Sequence, residues 1–329
     1  MTTSLFHRLR TQLWRSRTQG EKGFTLIELL VVTLIAGGLV SGLMYLVVEL
    51  LTADQRDASR NATQQDMQRS LNYISTELRD AVYVYSGECL YGGAGCPDRT
   101  GGLLNYLPAS LRNNSVPVLA FWKQTPLPSR VQQFCNGFSG SRTATPQQMR
   151  NVPCDIGHAY ALIVYSLNTE TNNPIWTGEA RLTRYELRAF SNTNPPQPTA
   201  GYVTPINGEQ KLFYTWPFEG TVNSQGGQPG GSAVPLTDFV DRNSGSTPTC
   251  PANYSMSPPL NTPGRSDSFY ACINTTGAAG AELDNQELLI YLRGNAFGRP
   301  GVNTRNSFTP TLTTRVLNRG TLDIDPDSQ

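Results

Sequence analysis

The stretch FTLIELLVVTLIAGGLVSGLMYLVVELL, residues Phe24–Leu51, most narrows what this chain can become. Its segment Leu29–Val48 runs 20 residues without a charge. As a helix, about 20 apolar residues cross the roughly 30 Å hydrocarbon core of a bilayer. Ahead of it stand Arg8, Arg10, Arg15, Arg17 and Lys22 against Glu21 alone. The positive-inside bias predicts that this basic head stays cytoplasmic and that the remaining chain lies beyond the membrane. A secretory signal peptide fits less well. Its apolar region spans only about 7–15 residues and ends at a small-residue cleavage site, whereas here Glu49 and Asp54-Gln55-Arg56 follow. Glu28 sits inside the run, and a carboxylate in hydrocarbon is costly enough to point to a function.

The neighbours of Glu28 carry a specific pattern. Lys22-Gly23-Phe24-Thr25-Leu26-Ile27-Glu28 resembles the processing signature of type IV prepilins and type II secretion pseudopilins. The resemblance implies cleavage between Gly23 and Phe24 by a membrane-embedded prepilin peptidase/methyltransferase, and N-methylation of Phe24. Residues 1–23 are then a basic leader. It also implies that Glu28 pairs with the terminal amine of a neighbouring subunit during assembly. An opposite charge removes much of the cost of burying the acid. Gly37, Gly38, Ser41 and Gly42 either let membrane helices approach closely or are merely tolerated.

Helical patterning continues past the membrane. Ala58, Ala62, Met67, Leu71, Ile74, Leu78, Ala81 and Tyr85 recur every three to five residues. This predicts one apolar stripe on an amphipathic stalk helix over residues 52–85. The opposite face is expected to carry Arg56, Asp57, Arg60, Gln64, Asp66, Arg69, Glu77, Arg79 and Asp80.

Beyond residue 85 the composition shifts to Gly, Pro, Asn, Ser and Thr. Short β-type runs predict strands at 116–122, 159–167, 181–190, 211–216, 269–273, 287–293 and 312–317. The expected fold is α+β: a long N-terminal helix, half transmembrane and half amphipathic, packed on an antiparallel β-sheet headpiece over residues 86–329. Long turn-rich connections are expected at 86–114, 123–157, 191–209 and 220–266. Cys89, Cys96, Cys135, Cys154, Cys250 and Cys272 all follow the membrane segment. An even count outside the cytoplasm reads as disulfides. Pairing in chain order is expected, because each bridge would then staple one long connection. Zinc is the weaker reading, with no Cys-x-x-Cys present and His158 the one histidine after residue 23. Arg181, Arg184 and Arg188, interrupted by Glu179 and Glu186, read as a solvated strand face. Asp323, Asp325 and Asp327 alternate as calcium ligands can, but read as a solvated tail.

A formal charge of +1 argues against bulk electrostatic grip on nucleic acid. No nucleophile-elbow, phosphate-loop or metalloprotease motif occurs, and a lone histidine leaves little for acid–base chemistry. The chain is therefore not read as an enzyme, and no cofactor or metal is expected. The resemblance implies a structural subunit, a minor pilin or pseudopilin held in the inner (plasma) membrane by one span. Its headpiece lies outside the cytoplasm, and it is then drawn into a periplasmic or cell-surface filament. Its implied partners are other pilins through the N-terminal helix and the inner-membrane assembly platform. The runs Tyr291-Leu292-Arg293-Gly294-Asn295-Ala296 and Thr314-Arg315-Val316-Leu317-Asn318-Arg319-Gly320 also look like pseudopilins of cyanobacterial hormogonium polysaccharide secretion, which would add extracellular polysaccharide and gliding. The alternative is an adhesion or DNA-uptake minor pilin, and the acid-leaning headpiece counts against DNA.

Overall fold

The protein is described here by a computed structural model covering residues 23–93, 96, 101–138, 149–170, 173–207, 210–211, 213–242, 248–274, 286–305 and 308–318. Residues 1–22 of the expected leader and the Asp323–Asp327 tail lie outside the described residues. The chain forms two compact units, Met1–Asp54 and Gln55–Gln329. The fold is α+β: a long apolar N-terminal helix, antiparallel sheets and three disulfides.

Helix α1, Leu26–Arg79, runs from one unit into the other. In the first unit every residue from Leu26 to Val48 is exposed. This part is long and apolar enough to cross a membrane. The hydroxyls of Thr33 and Thr52 donate to the carbonyls of Leu30 and Val48, both at 2.9 Å. That satisfies these polar groups inside the helix without water.

In the second unit, α1 buries Ser59, Thr63, Met67, Ser70, Leu71, Ile74, Ser75, Glu77 and Leu78. The stripe is as expected from Met67 to Leu78, but N-terminal to Met67 it runs one residue round, through Ser59 and Thr63 rather than Ala58 and Ala62. The reason is close backbone approach. A Cβ on Gly294 would lie 2.8 Å from Met67 Cγ and 3.0 Å from Thr63 Cγ2. Ser59 Oγ donates to the Pro300 carbonyl at 2.7 Å. Small hydroxylated side chains suit a helix face pressed against another backbone.

The helix stops at Arg79, not at residue 85. Ala81–Val84 forms strand β1 instead. Ala81 and Tyr85 are buried as the stripe requires, yet Val82-Tyr83-Val84 is β-branched and aromatic and takes the open edge of β2, Ser115–Pro126. Sheet 1 has the order β1-β2-β3-β4-β9, all antiparallel, with β3 at His158–Asn168, β4 at Ala180–Arg188 and β9 at Val234–Val240. Sheet 2 has the order β10-β11-β12-β13, at Tyr254–Ser257, Phe269–Asn274, Glu287–Arg293 and Thr311–Leu317. Two short ribbons, β5 (Ile206–Asn207) with β6 (Gln210–Lys211) and β7 (Phe218–Glu219) with β8 (Val222–Asn223), complete the strands among the described residues. The run 211–216, expected as a strand, is instead mostly turn, with Trp216 fully buried. Strands β9 and β10 occupy the connection expected at 220–266.

Sheet 1 is buried on both faces. Phe121, Ile163, Tyr165 and Leu182 join Met67, Leu71, Ile74 and Leu78 of α1 in one core. Phe269, Ile273, Leu288, Ile290 and Leu292 of sheet 2 complete that core. The alternate residues Trp122, Leu162, Val164, Tyr185 and Leu187 face a second, aromatic core closed by Tyr85, Leu90, Leu103, Phe213 and Trp216. The period-two alternation of the strands sorts these sets. The sheets are tied at Asp241, which is 1% exposed. It accepts from Arg293 Nε at 2.7 Å and from Asn295 Nδ2 at 2.9 Å, beside a bridge between Val240 and Gly294.

Among the described residues, two helices and two 3-10 turns lie in the connections. Helix α2, Gly87–Tyr91, is capped by Ser86, whose hydroxyl accepts from Cys89 N at 3.2 Å. Helix α3 spans Ser129–Asn136. The turns lie at Leu103–Tyr106 and Ala109–Leu111. The disulfides are Cys89–Cys96, Cys135–Cys154 and Cys250–Cys272, with Cα separations of 5.0, 5.2 and 5.6 Å.

Candidate functional site

The expected processing site lies where the chain enters α1. Gly23, Phe24 and Thr25 precede the helix and are exposed; Phe24 is 78% exposed. Thr25 starts the helix. Its Oγ1 accepts from Glu28 N at 3.3 Å, and its carbonyl accepts the first turn's bond from Leu29 N at 3.2 Å. Thr25-Leu26-Ile27-Glu28 thus has the Thr-x-x-Glu spacing of a capping box, with Glu28 at the third helical position. An acid there also meets the positive pole of the helix dipole. The carboxylate of Glu28 thus sits where an acid suits the start of its own helix.

Among the described residues, nothing lies within 4 Å of a Cβ built on Gly23. Gly37, Gly38 and Gly42 likewise have nothing within 4 Å. The apolar surface from Leu26 onward is uncovered among the described residues.

A second constellation escaped the sequence reading. Glu77, expected on the solvent face of α1, is 7% exposed. Arg184 of β4 clamps it from two nitrogens, Nε to Oε2 at 2.9 Å and Nη2 to Oε1 at 2.8 Å. Lys123 of β2 donates to Oε1 at 3.1 Å, and the Tyr165 hydroxyl of β3 donates to Oε2. Arg184 Nη1 reaches Glu186 Oε2 at 2.8 Å, and Arg188 Nε reaches Glu186 Oε1 at 2.7 Å. Burial pushes both carboxyls up. The hydrogen bonds and positive charges of the arginines (with Tyr165 and Lys123 at Glu77) outweigh it and hold them below the ordinary carboxylate range. Burial and the adjacent Glu77 push the Tyr165 hydroxyl far up, so it stays a donor. The expected solvated face of Arg181, Arg184 and Arg188 is thereby corrected. Only Arg188 is exposed; Arg181 is 2% exposed and donates to the Glu170 carbonyl.

The Arg-x-Glu-x-Arg alternation over Arg184, Glu186 and Arg188 was the available signal, since side chains two apart on a strand share a face. Glu77 and Lys123 carry no local signal. The constellation is fully cross-paired, with no open position for a reacting group, and it acts as a polar tie between α1 and sheet 1. Among the described residues no cluster of His, Cys, Asp and Glu has the makings of a metal site. The chain matches no family model, no curated protein and no solved structure.

Proposed function

We propose that this chain is a minor pilin or pseudopilin, a structural subunit of a type IV pilus-like or type II secretion-like filament. The observation that carries the reading is the run Gly23-Phe24-Thr25-Leu26-Ile27-Glu28. It holds an exposed peptide bond beside the start of an apolar helix whose side chains find no cover among the described residues. Peptidase processing then leaves an ammonium on Phe24 at the positive end of α1. The dipole disfavours it there, and a carboxylate one turn on, in its own or a neighbouring chain, offsets that cost. The span holds the subunit in the inner membrane until the assembly platform draws it into a filament with other pilins. Support of polysaccharide export and gliding is the narrower reading, resting on the C-terminal runs alone.

Mass spectrometry of the chain from cells carrying a prepilin peptidase tests the proposal. The expected product begins with N-methyl-Phe24, and an intact leader in such cells refutes it. Glu28→Ala is expected to leave cleavage intact and to reduce recovery in sheared filaments at least about tenfold, the loss of roughly one charge pair in a low-dielectric interface.

A further inference from the structure

We propose that a cleft beside β3 in the headpiece binds an acidic saccharide unit. The inference concerns the second unit alone and does not depend on processing at Gly23. The cleft holds about 490 Å³, within the usual range for small-ligand sites and ample for one or two sugar rings.

One wall is apolar and aromatic, built from Tyr160, Phe190 and Tyr202 with Pro198. Apolar ring faces pack on the C–H faces of sugars, as they do on other flat amphipathic groups. The wall is pre-positioned. Tyr202 donates its hydroxyl to the Tyr160 carbonyl at 2.8 Å, and Gln124 Nε2 donates to the Tyr160 hydroxyl at 3.1 Å. Asn151 and His158 also line the cleft, with planar polar side chains suited to hydroxyl groups.

The charge at the rim selects the ligand. Arg150 lines the cleft, and among the described residues neither Asp nor Glu does. Arg150 forms no ion pair among the described residues. Its backbone is held in an unfavourable form. Arg150 and Asn151 both have positive φ, 56° and 55°, and Val152 N bonds the Met149 carbonyl at 3.0 Å. That mirror-image turn ordinarily takes Asn-Gly at its centre. An arginine at the first central position costs about 1–2 kcal/mol. Such outliers persist where the surroundings impose them, and they cluster at binding sites. Here the Cys135–Cys154 bridge ties down the segment just beyond the turn. A cation without an ion pair among the described residues, a ring wall and planar amide and imidazole groups together fit a carboxylate-bearing sugar better than a neutral one.

The test titrates trigalacturonic acid into the full chain, in a detergent without a sugar headgroup, and reads heat. Maltotriose and octanoate serve as the neutral sugar and the sugarless acid. Saturable binding of trigalacturonate at least about fivefold tighter than either comparator is expected. Arg150→Gly, which suits the positive φ, is expected to remove about tenfold of that affinity, the scale of one charged hydrogen-bonded contact, while leaving the melting midpoint unchanged or raised. Arg150→Lys is expected to keep the preference for the acid. No saturable binding, or equal binding by maltotriose, overturns the proposal. So does tighter binding of octanoate, or affinity indifferent to Arg150→Gly.

Discussion

Glu77 is the residue on which the stalk and the sheet agree. Its carboxylate receives donors from β2, β3 and β4 at once, and removing one partner strands the rest. Breaking a buried pair of this kind costs about 3–5 kcal/mol. Glu77→Gln is therefore expected to lower the urea midpoint of the detergent-solubilised chain, and Arg184→Met by a similar amount. The double variant should fall well short of the sum, because the two act as one unit. The pH dependence has a definite sign. Both Glu77 and Glu186 titrate below their ordinary value of 4.5 when folded. Their contribution is full above that value and fades as pH falls through the lower, folded value. Stability should drop steeply in acid, and Glu77→Gln should flatten the drop. The part played by Glu77 was not legible locally. Glu77 adjoins the stripe at Leu78 and looks like its polar border. The residues that bury it lie 46, 88 and 107 positions away.

At the scale of elements, legibility followed patterning. Helix α1 was plain from its apolar run and its stripe, and β2, β3, β4, β11, β12 and β13 from their β-branched and aromatic residues. Strand β9 hid because Pro235 sits inside it; an outer strand tolerates a proline that an inner strand does not. Strand β10 hid because Tyr254-Ser255-Met256-Ser257 is short and weakly patterned. β1 was read as helix because its buried Ala81 continues the spacing of α1. The glycines of α1 and of the 294–301 segment separate two uses of the residue. Gly301 has φ of 75°, and a Cβ there would lie 2.8 Å from the Arg56 backbone nitrogen. Gly301→Ala is expected to cost at least about 1–2 kcal/mol by denaturant melting. Gly38→Ala has open space and a helical backbone, so it should leave the micelle-bound chain as stable or raise helix stability by up to about 1 kcal/mol. If Gly38 serves close contact between subunits, Gly38→Leu should spare the monomer and deplete the filament.

At the scale of the whole molecule, the two-unit division follows from where apolar residues find cover. Among the described residues, Gln55–Gln329 carries three hydrophobic clusters of its own and all three disulfides. Expressed to an oxidising compartment, the fragment from Gln55 is expected to be monomeric in water, without detergent, with no alkylatable thiol. Reduction should lower its melting midpoint, each bridge contributing about 2–4 kcal/mol. Aggregation of the fragment would show that residues before 55 complete the core. Loop lengths favoured the chain-order disulfide pairing, whereas the tie at Asp241 joins it to residues 52 and 54 positions away. The C-terminal part of α1 is itself a layer of the core, gripped by Arg184 at one end and by the Gly294 backbone at the other. A pull on the N-terminal end of that rod therefore loads many interlocked contacts in shear, and the subunit should bear tension until its headpiece tears open, with no slack to slide.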